Sequence, residues 1–355
     1  MNGLYLDFII HPGETIKDLL DDRNMKQEEL SIRTGFSPKH VSEVINGKKG
    51  ISPAFAKSLQ YVFGINASFF MNLQNQYDEE ILRYKEQEEI DSTELKIVKE
   101  LKGLIKYAKE NNIINVTSDK ISEVIELRKL CHVTNLTFIK NLPLSEACFR
   151  KSNNVNTNVN MLYVWMRICE ELAKKNKCEQ KYNDELLIKK IENIKKCMFM
   201  PINKAINELT KIFNSCGIIF QVVKNFTGVP VQGFINREDD KIVLTITTRG
   251  AYLDIFYFTL FHEIGHILNK DIDSNYVDFY DSESRIEKRA NNYARNVLIN
   301  DKAFNNFVKK EFISKKDVLN FAKEQDVKPY IVVSRLQNAF KNYKMFSELR
   351  EKCEI

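Results

Sequence analysis

Apolar residues recur at intervals of three and four along most of the chain, and period-two alternation is confined to residues 217–248. The first spacing places apolar side chains on one face of a helix, whereas the second is typical of a strand. We therefore expect a mainly α fold with a small α+β part. The three predicted strands are 217–223, 229–236 and 241–248.

The same pattern divides the chain into three zones. Residues 1–77 hold short helical patterns interrupted by Gly and Asn, which predict a five-helix domain. Residues 78–180 alternate acids and bases at helical spacing and predict a helical connector, with Trp165 in an apolar core stripe. Residues 181–355 contain the strands and further helices, and form the third predicted domain.

Capping residues mark the predicted N-terminal helices. Pro12 and Glu14 suit a first helical turn, where a missing N–H costs nothing and an acid meets the positive end of the dipole. Between the second and third helices, Gly35 suits a tight left-handed turn and Ser37 offers an N-cap oxygen. Two short helices joined in this way inside a small bundle form a helix-turn-helix.

The third helix is the predicted recognition helix, with Lys39, His40, Ser42 and Glu43 on its exposed face. Polar side chains there would read base edges, and nearby lysines would contact phosphates. Residues 1–77 carry eight basic and eight acidic side chains, so DNA binding would depend on where the lysines lie. A helical protein-interaction domain is the alternative. The predicted DNA contacts are Gln27, Ser37, Lys39, His40, Ser42, Lys48 and Lys49.

The segment from HPGETIKDLL to LQNQYD resembles the repressor-type helix-turn-helix of the XRE family, and most of all its HigA antitoxin branch. The shared features are the HPGE opening, the VSEVINGK segment and the LQNQYD close. The resemblance implies a DNA-binding module, usually a homodimer, that recognises a palindromic double-stranded operator.

Composition narrows the classes of protein. The chain has 355 residues, a net charge of +5 and seven cysteines at irregular spacing without a C-x-x-C pair. We therefore expect neither a disulfide framework nor a cysteine zinc site, and we expect the protein to reside in a reducing cytoplasm. There is no basic leader and no apolar run of about 18 residues, so we expect neither secretion nor a membrane span.

The third zone contains H-E-I-G-H at residues 262–266 within an apolar helical pattern. Histidines four apart lie on one helix face, so His262 and His266 can bind one ion. Glu263 lies about 100° around the helix from His262, beside a metal-bound water. Zn²⁺ suits such a site and lowers the pKa of its water, so Glu263 is the predicted catalytic base. The alternative is a helix with two incidental histidines.

A third ligand is needed from elsewhere, and a helical pattern over 281–299 supplies carboxylates. Glu287 is favoured, and Glu283, one turn earlier, is the rival. Asn291, one turn after Glu287, could orient a ligand histidine through its second ring nitrogen.

The stretch GVPVQGF to HEIGHILNK, with IEKRANNYARNVLI after it, resembles the ImmA/IrrE metallopeptidases, which are zincins with a glutamate third ligand. The resemblance implies that His262, His266 and Glu287 bind zinc, that Glu263 is the catalytic acid/base and that Asn291 supports the site. Many relatives have a histidine at the position of Lys270 and a proline at that of Asn300.

The two modules together predict a DNA-binding regulator whose peptidase domain cleaves a partner repressor or antitoxin. The alternatives are a HigA-like repressor whose zincin domain is a sensor or scaffold without turnover, and a general peptidase. Strand 241–248 could be an edge strand that binds an extended peptide. Candidates for a second donor to the oxyanion are Tyr252, Tyr257 and Tyr293.

Overall fold

A computed structural model describes residues 9–115, 119–142, 158–238, 240–248, 252–271, 276–278 and 285–354. The chain divides into two compact units, Met1–Ser92 and Thr93–Ile355. Sixteen α-helices and one four-stranded sheet lie in the described part, which confirms the predicted fold class. None of the helices in those ranges is long and apolar enough to cross a bilayer.

The first unit contains five helices around one apolar core. Leu30, Val44 and Phe55, from three different helices, are fully buried there. Residue 77, the predicted end of the first domain, lies inside the fifth helix, and the compact unit extends to Ser92. The helices are α1 (Pro12–Asp22), α2 (Gln27–Thr34), α3 (Pro38–Ile45), α4 (Pro53–Phe63) and α5 (Ala67–Glu88).

The HPGE opening fixes α1 against the end of α3. The Nδ1 atom of His11 caps α1 by accepting a hydrogen bond of 2.9 Å from the backbone N–H of Gly13. A Cβ atom at Gly13 would lie 2.2 Å from the carbonyl oxygen of Val44, so no larger residue fits without displacing α3. This contact holds the predicted recognition helix in place.

The second unit begins with helices joined by buried contacts. Glu94 and Arg128 form a buried ion pair, and a Glu94 oxygen also accepts from the N–H of Leu136 at 2.8 Å. Trp165 is fully buried, with its ring centroid 5.8 Å from that of Phe234, as its apolar stripe predicts. The helices are α6 (Ser92–Glu100), α7 (Lys102–Glu110), α8 (Lys120–Cys131), α9 (Val159–Lys174), α10 (Asp184–Lys196) and α11 (Ile202–Ser215).

A mixed sheet follows, in the order β1-β3-β2-β4. Strand β3 pairs parallel with β1 and antiparallel with β2, and β2 pairs antiparallel with β4. The prediction that strand 241–248 is an edge that accepts a peptide is therefore wrong, because both sides of β3 are already paired. The strands are β1 (Ile218–Val223), β2 (Gly233–Glu238), β3 (Lys241–Thr247) and β4 (Tyr276–Asp278).

Five helices complete the unit and share the sheet's apolar core. The C-terminal segment fastens the start of the first of them: Arg350 donates to buried Asp254 at 2.8 Å, and the Leu253 N–H donates to the Glu351 carbonyl at 2.9 Å. The helices are α12 (Leu253–Leu268), α13 (Arg285–Leu298), α14 (Asp301–Phe307), α15 (Lys315–Glu324) and α16 (Pro329–Phe340).

Candidate metal centre and nucleic-acid interface

Helix α12 carries His262 and His266 on one face, because residues four apart are separated by about one turn. Both side chains are buried, and their Nε2 atoms lie 2.9 Å apart. Apolar side chains cover most of the helix, so polar groups at this depth need polar partners or a metal ion.

Glu287 of α13 brings a carboxylate to the two imidazoles. Its Oε2 atom lies 3.2 Å from Nε2 of His262 and 3.5 Å from Nε2 of His266. Ligands at about 2.0–2.1 Å from a tetrahedral zinc ion lie about 3.3 Å from one another, so these separations fit one ion. These three residues form a possible metal-binding group. Glu283, the rival ligand, lies outside the described residues.

Gly265, within the H-E-I-G-H motif, allows α13 to approach α12 closely enough for Glu287 to reach the two histidines. A Cβ atom at Gly265 would lie 3.2 Å from the Cα atom of Ala290 and 3.2 Å from the ring of Tyr293. Such contacts are tighter than side chains normally make, and one of them is with backbone that cannot swing away. Gly265 therefore sets the distance at which Glu287 meets the histidines.

Each histidine also has a partner at its other ring nitrogen. The Nδ1 atom of His262 lies 3.1 Å from Oδ1 of Asn291, the contact expected of this asparagine. The Nδ1 atom of His266 lies 3.2 Å from Oδ2 of Asp271, and Arg289 donates to the other oxygen of Asp271. Such partners fix the ring orientation and leave Nε2 to face a metal.

Sequence reasoning missed Asp271. It lies just beyond the end of α12, where Lys270 adopts a left-handed backbone conformation (φ 58°) and the Asp271 N–H donates to the His266 carbonyl at 3.1 Å. That turn brings the carboxylate back over the last turn of the helix. The sequence does offer one signal for Asp271, namely an acidic residue five positions after the second histidine of the motif.

Glu263 is fully buried on α12 and packs against the first residue of β2. A Cβ atom at Gly233 would lie only 1.9 Å from Oε1 of Glu263. Gly233 therefore leaves the space that the Glu263 carboxylate occupies, and the start of β2 fixes the place of this side chain. No sequence pattern marks Gly233 for this role.

A cavity of about 420 Å³ adjoins the group and is lined by His262, Glu287 and Asn291. Gln232, immediately before β2, also lines it and accepts from the Thr259 hydroxyl at 3.3 Å. Three arginines also line it, namely Arg295, Arg335 and Arg350, and they are called here the arginine wall.

The three tyrosines considered as oxyanion donors are not among the residues that line this cavity. The ring of Tyr293 lies on Gly265, and burial raises the pKa of its hydroxyl to about 12. Tyr257 is buried in the core, and the Tyr252 ring lies 3.8 Å from the Arg350 guanidinium.

In the first unit, the lysines predicted to contact phosphates are exposed around α3. Lys39, Lys48 and Lys49 all lie at the surface, as does Gln27 at the start of α2. Lys39 lies 3.8 Å from the carboxylate of Glu43, one turn along the helix. The arrangement leaves basic groups at both ends of α3.

His40 is half-buried rather than fully exposed. Its ring lies 4.7 Å from that of Phe36 and 5.1 Å from that of Phe55, and its Nε2 atom is buried. Burial, followed by the charge of Lys49, lowers the pKa of His40. His40 thus fastens α3 to the bundle, because the turn at Phe36 folds an aromatic ring over it.

The two serines also have structural partners. The Ser37 hydroxyl caps α3 by accepting from the His40 N–H at 3.2 Å, as its N-cap position predicts. Ser42 is half-buried, and its hydroxyl oxygen accepts from the Asn46 side chain at 3.1 Å.

No family model matches the sequence. Over 64 residues the chain is 31% identical to the HTH-type transcriptional regulator YddM of Escherichia coli (strain K12), a stretch covering 18% of this chain and 68% of that protein. An addiction module antidote protein of the HigA family from Coxiella burnetii is 28% identical, covers 23% of this chain and 95% of its own, and has a TM-score of 0.21.

Proposed function

This chain belongs to the family of HTH-type transcriptional regulators, and we propose that it joins operator binding to a metal-dependent peptidase. The first unit would bind a double-stranded operator as a homodimer, with α3 in the major groove. The second unit would hydrolyse a peptide bond in a partner protein that acts in the same regulation, such as a repressor or an antitoxin.

The observation that carries the proposal is the convergence of His262, His266 and Glu287, buried and within bonding distance of one ion, with Glu263 buried on the same helix. A purely structural helix would gain nothing from burying these four groups together. The donor set of two imidazoles and a carboxylate suits Zn²⁺, which is the ion we propose.

Zinc held by these three residues would polarise a peptide carbonyl and make an attacking water acidic. Glu263 would take the proton of that water on a carboxylate oxygen and pass it to the leaving amine nitrogen. Asn291 and Asp271 would hold the imidazoles in the orientation that leaves Nε2 free for zinc. The cavity beside His262 and Glu287 would receive the substrate chain.

The substrate class follows from the union of two modules in one chain. A peptidase joined to an operator-binding unit would meet proteins bound at the same operator at high local concentration. The product of an adjacent gene that encodes a repressor or antitoxin is thus the first protein to test.

The test is to incubate the purified full chain with such a neighbouring gene product and to compare wild type with Glu263→Gln. We expect wild type to cut the partner at one site, and Glu263→Gln to keep its metal and lose cleavage, because the amide cannot accept the proton. Equal cleavage by both proteins would contradict the mechanism.

One observation favours a second candidate, a regulator whose metal centre senses or stabilises without turnover. Glu263 is fully buried and is not among the residues that line the cavity. In that case the chain would bind metal and operator, and metal removal would change operator affinity without any cleavage of a partner by the loaded protein.

A further inference from the structure

We propose that the arginine wall of the cavity binds a carboxylate of the substrate peptide, and that Arg295 is the residue that selects it. This inference rests on the proposed peptidase function and names a substrate class for it: peptides with a carboxylate within about four residues of the cleaved bond.

Of the three arginines on the wall, two are already paired. Arg335 donates to Asp301 and to the backbone carbonyl of Ile299 at 2.6 Å. Arg350 donates to Asp254 at 2.8 Å. Their guanidinium groups therefore build the wall and carry little surplus charge.

Arg295 differs from both. Its side chain is exposed, and within the described ranges no acidic side chain forms an ion pair with its guanidinium. Arg335 is its neighbour and donates to the Arg295 backbone carbonyl at 3.2 Å, and the charge of Arg295, after burial, lowers the pKa of Arg335. An unpaired guanidinium beside two neutralised ones favours an incoming anion, and its planar fork matches a carboxylate.

The position of Arg295 on α13 sets the register of the substrate. Glu287, Asn291 and Arg295 follow at intervals of four, so they share one face of the helix. Eight residues of helix span about 12 Å, which is the length of about three to four residues of an extended peptide. A chain whose scissile bond lies at the metal group would thus bring a nearby carboxylate to Arg295.

The rest of the cavity suits a peptide rather than a free anion. Apolar side chains of Ile255, Phe258 and Ile331 also line it. Such a mixed surface buries side chains on either side of the scissile bond and leaves one polar anchor, as specific pockets commonly do.

The experiment measures binding, so that it does not depend on turnover. Full-length Glu263→Gln, with zinc added and also with metal removed by a chelator, is titrated into alanine- and leucine-based octapeptides labelled with dansyl, which carries no carboxylate, and fluorescence anisotropy is followed. One peptide carries a single Glu and a C-terminal amide, its twin carries Gln, and a third carries Gln and a free C-terminal carboxylate. The third peptide separates a side-chain carboxylate from a chain end.

We expect one of the two carboxylate peptides, the one with Glu or the one with the free C-terminus, to bind about tenfold more tightly than the amidated Gln twin. A factor of this size is the effect of one charge-assisted hydrogen-bonded pair. Arg295→Ala should remove this preference and leave binding of the Gln twin unchanged. The matched control is Arg285→Ala, which removes the same charge from the same helix outside the cavity wall and should keep the preference.

Equal binding of all three peptides would overturn the inference, and so would an equal loss of preference in Arg285→Ala, which would indicate attraction to net charge alone. Failure of the proposed peptidase is seen separately, as absence of partner cleavage by wild type. A carboxylate preference in the metal-free protein would still support the assignment to Arg295.

Discussion

At the residue scale, Gly233 sets the position of the Glu263 carboxylate on which the proposed chemistry depends. A methyl group at this position would occupy the space of the Glu263 carboxylate, and that side chain would have to move. We expect Gly233→Ala to bind zinc normally and to cleave its partner about a hundredfold more slowly, the cost of misplacing a reacting group by about 1 Å. Single-turnover cleavage with zinc analysis measures both.

The matched control for this substitution is Gly103→Ala. A Cβ atom at Gly103 would lie an ordinary 3.7 Å from the Phe226 ring, so its cleavage rate should equal that of wild type. A cleavage rate of Gly233→Ala equal to that of wild type would show that Glu263 does not need its present position.

Asp271 gives a second residue-scale prediction, on metal affinity. Its contact with Nδ1 of His266 fixes the ring that faces the metal. Removal of such a partner costs about 10–100-fold in affinity, and we expect Asp271→Ala to show this loss in competition with a coloured zinc chelator. An unchanged zinc affinity would mean that packing alone orients His266.

The histidines of the first unit give a prediction on pH. Burial lowers the pKa of His11 and of His40 below the ordinary 6.5 of the unfolded chain. Between the lowered pKa and 6.5, the unfolded state binds more protons than the folded state. The contribution of these two neutral histidines to folding stability is therefore complete above pH 6.5, and it is lost as the pH falls through the lowered pKa.

We therefore expect amide hydrogen exchange to show weaker protection of α1 and α3 at about pH 5.5 than at about pH 7.5, after correction for the intrinsic exchange rate. His11→Asn keeps a side-chain acceptor for the cap and removes the titrating ring, and should reduce this dependence for α1. Imidazole resonances that titrate at or above 6.5 would contradict the account.

At the scale of elements, the approach of α13 to α12 decides whether a metal group forms at all. We expect Gly265→Val to push the helices apart at Ala290, to withdraw Glu287 from the histidines, and to lower zinc affinity at least tenfold. A chelator competition measures this, with thermal unfolding as a check on the fold. Zinc affinity equal to that of wild type would show that α13 can adjust.

The elements also show what a sequence can and cannot predict. The cap at Ser37 and the alternation in β3 mark a helix and a strand locally, so these elements were predictable. The central place of β3 was not, because alternation looks the same in an edge strand and a paired one. Its β-branched residues on both faces indicate that both faces are covered, but they do not show whether its two edges are paired.

The same limit applies to the site. The spacing of His262 and His266 is set within one helix and was predictable, and Glu287 was reached from a second helical pattern. Gly233, Asp271 and the packing of the His40 ring depend on contacts between distant segments or on one turn beyond a helix. No local pattern encodes such contacts.

At the scale of the whole molecule, operator binding and peptide hydrolysis should be separable. Lys48 and Lys49 are exposed beyond the end of α3, where they would meet phosphates. Replacing both with alanine should weaken operator binding and reduce the slope of its logarithm against that of salt concentration by about one for each phosphate that is no longer neutralised. Gel-shift titrations at several salt concentrations measure this, and an unchanged slope would remove these lysines from the interface.

The proposed peptidase would hydrolyse its partner at the buried His262, His266 and Glu287 group. The most direct measurement is intact mass spectrometry of the partner after incubation in water enriched in the heavy oxygen isotope, with zinc-loaded wild type and with Glu263→Gln. We expect two fragments with wild type, one carrying a single heavy oxygen at its new carboxyl end, and intact partner with Glu263→Gln. An intact partner with zinc-loaded wild type, or the same fragments with both proteins, would contradict it.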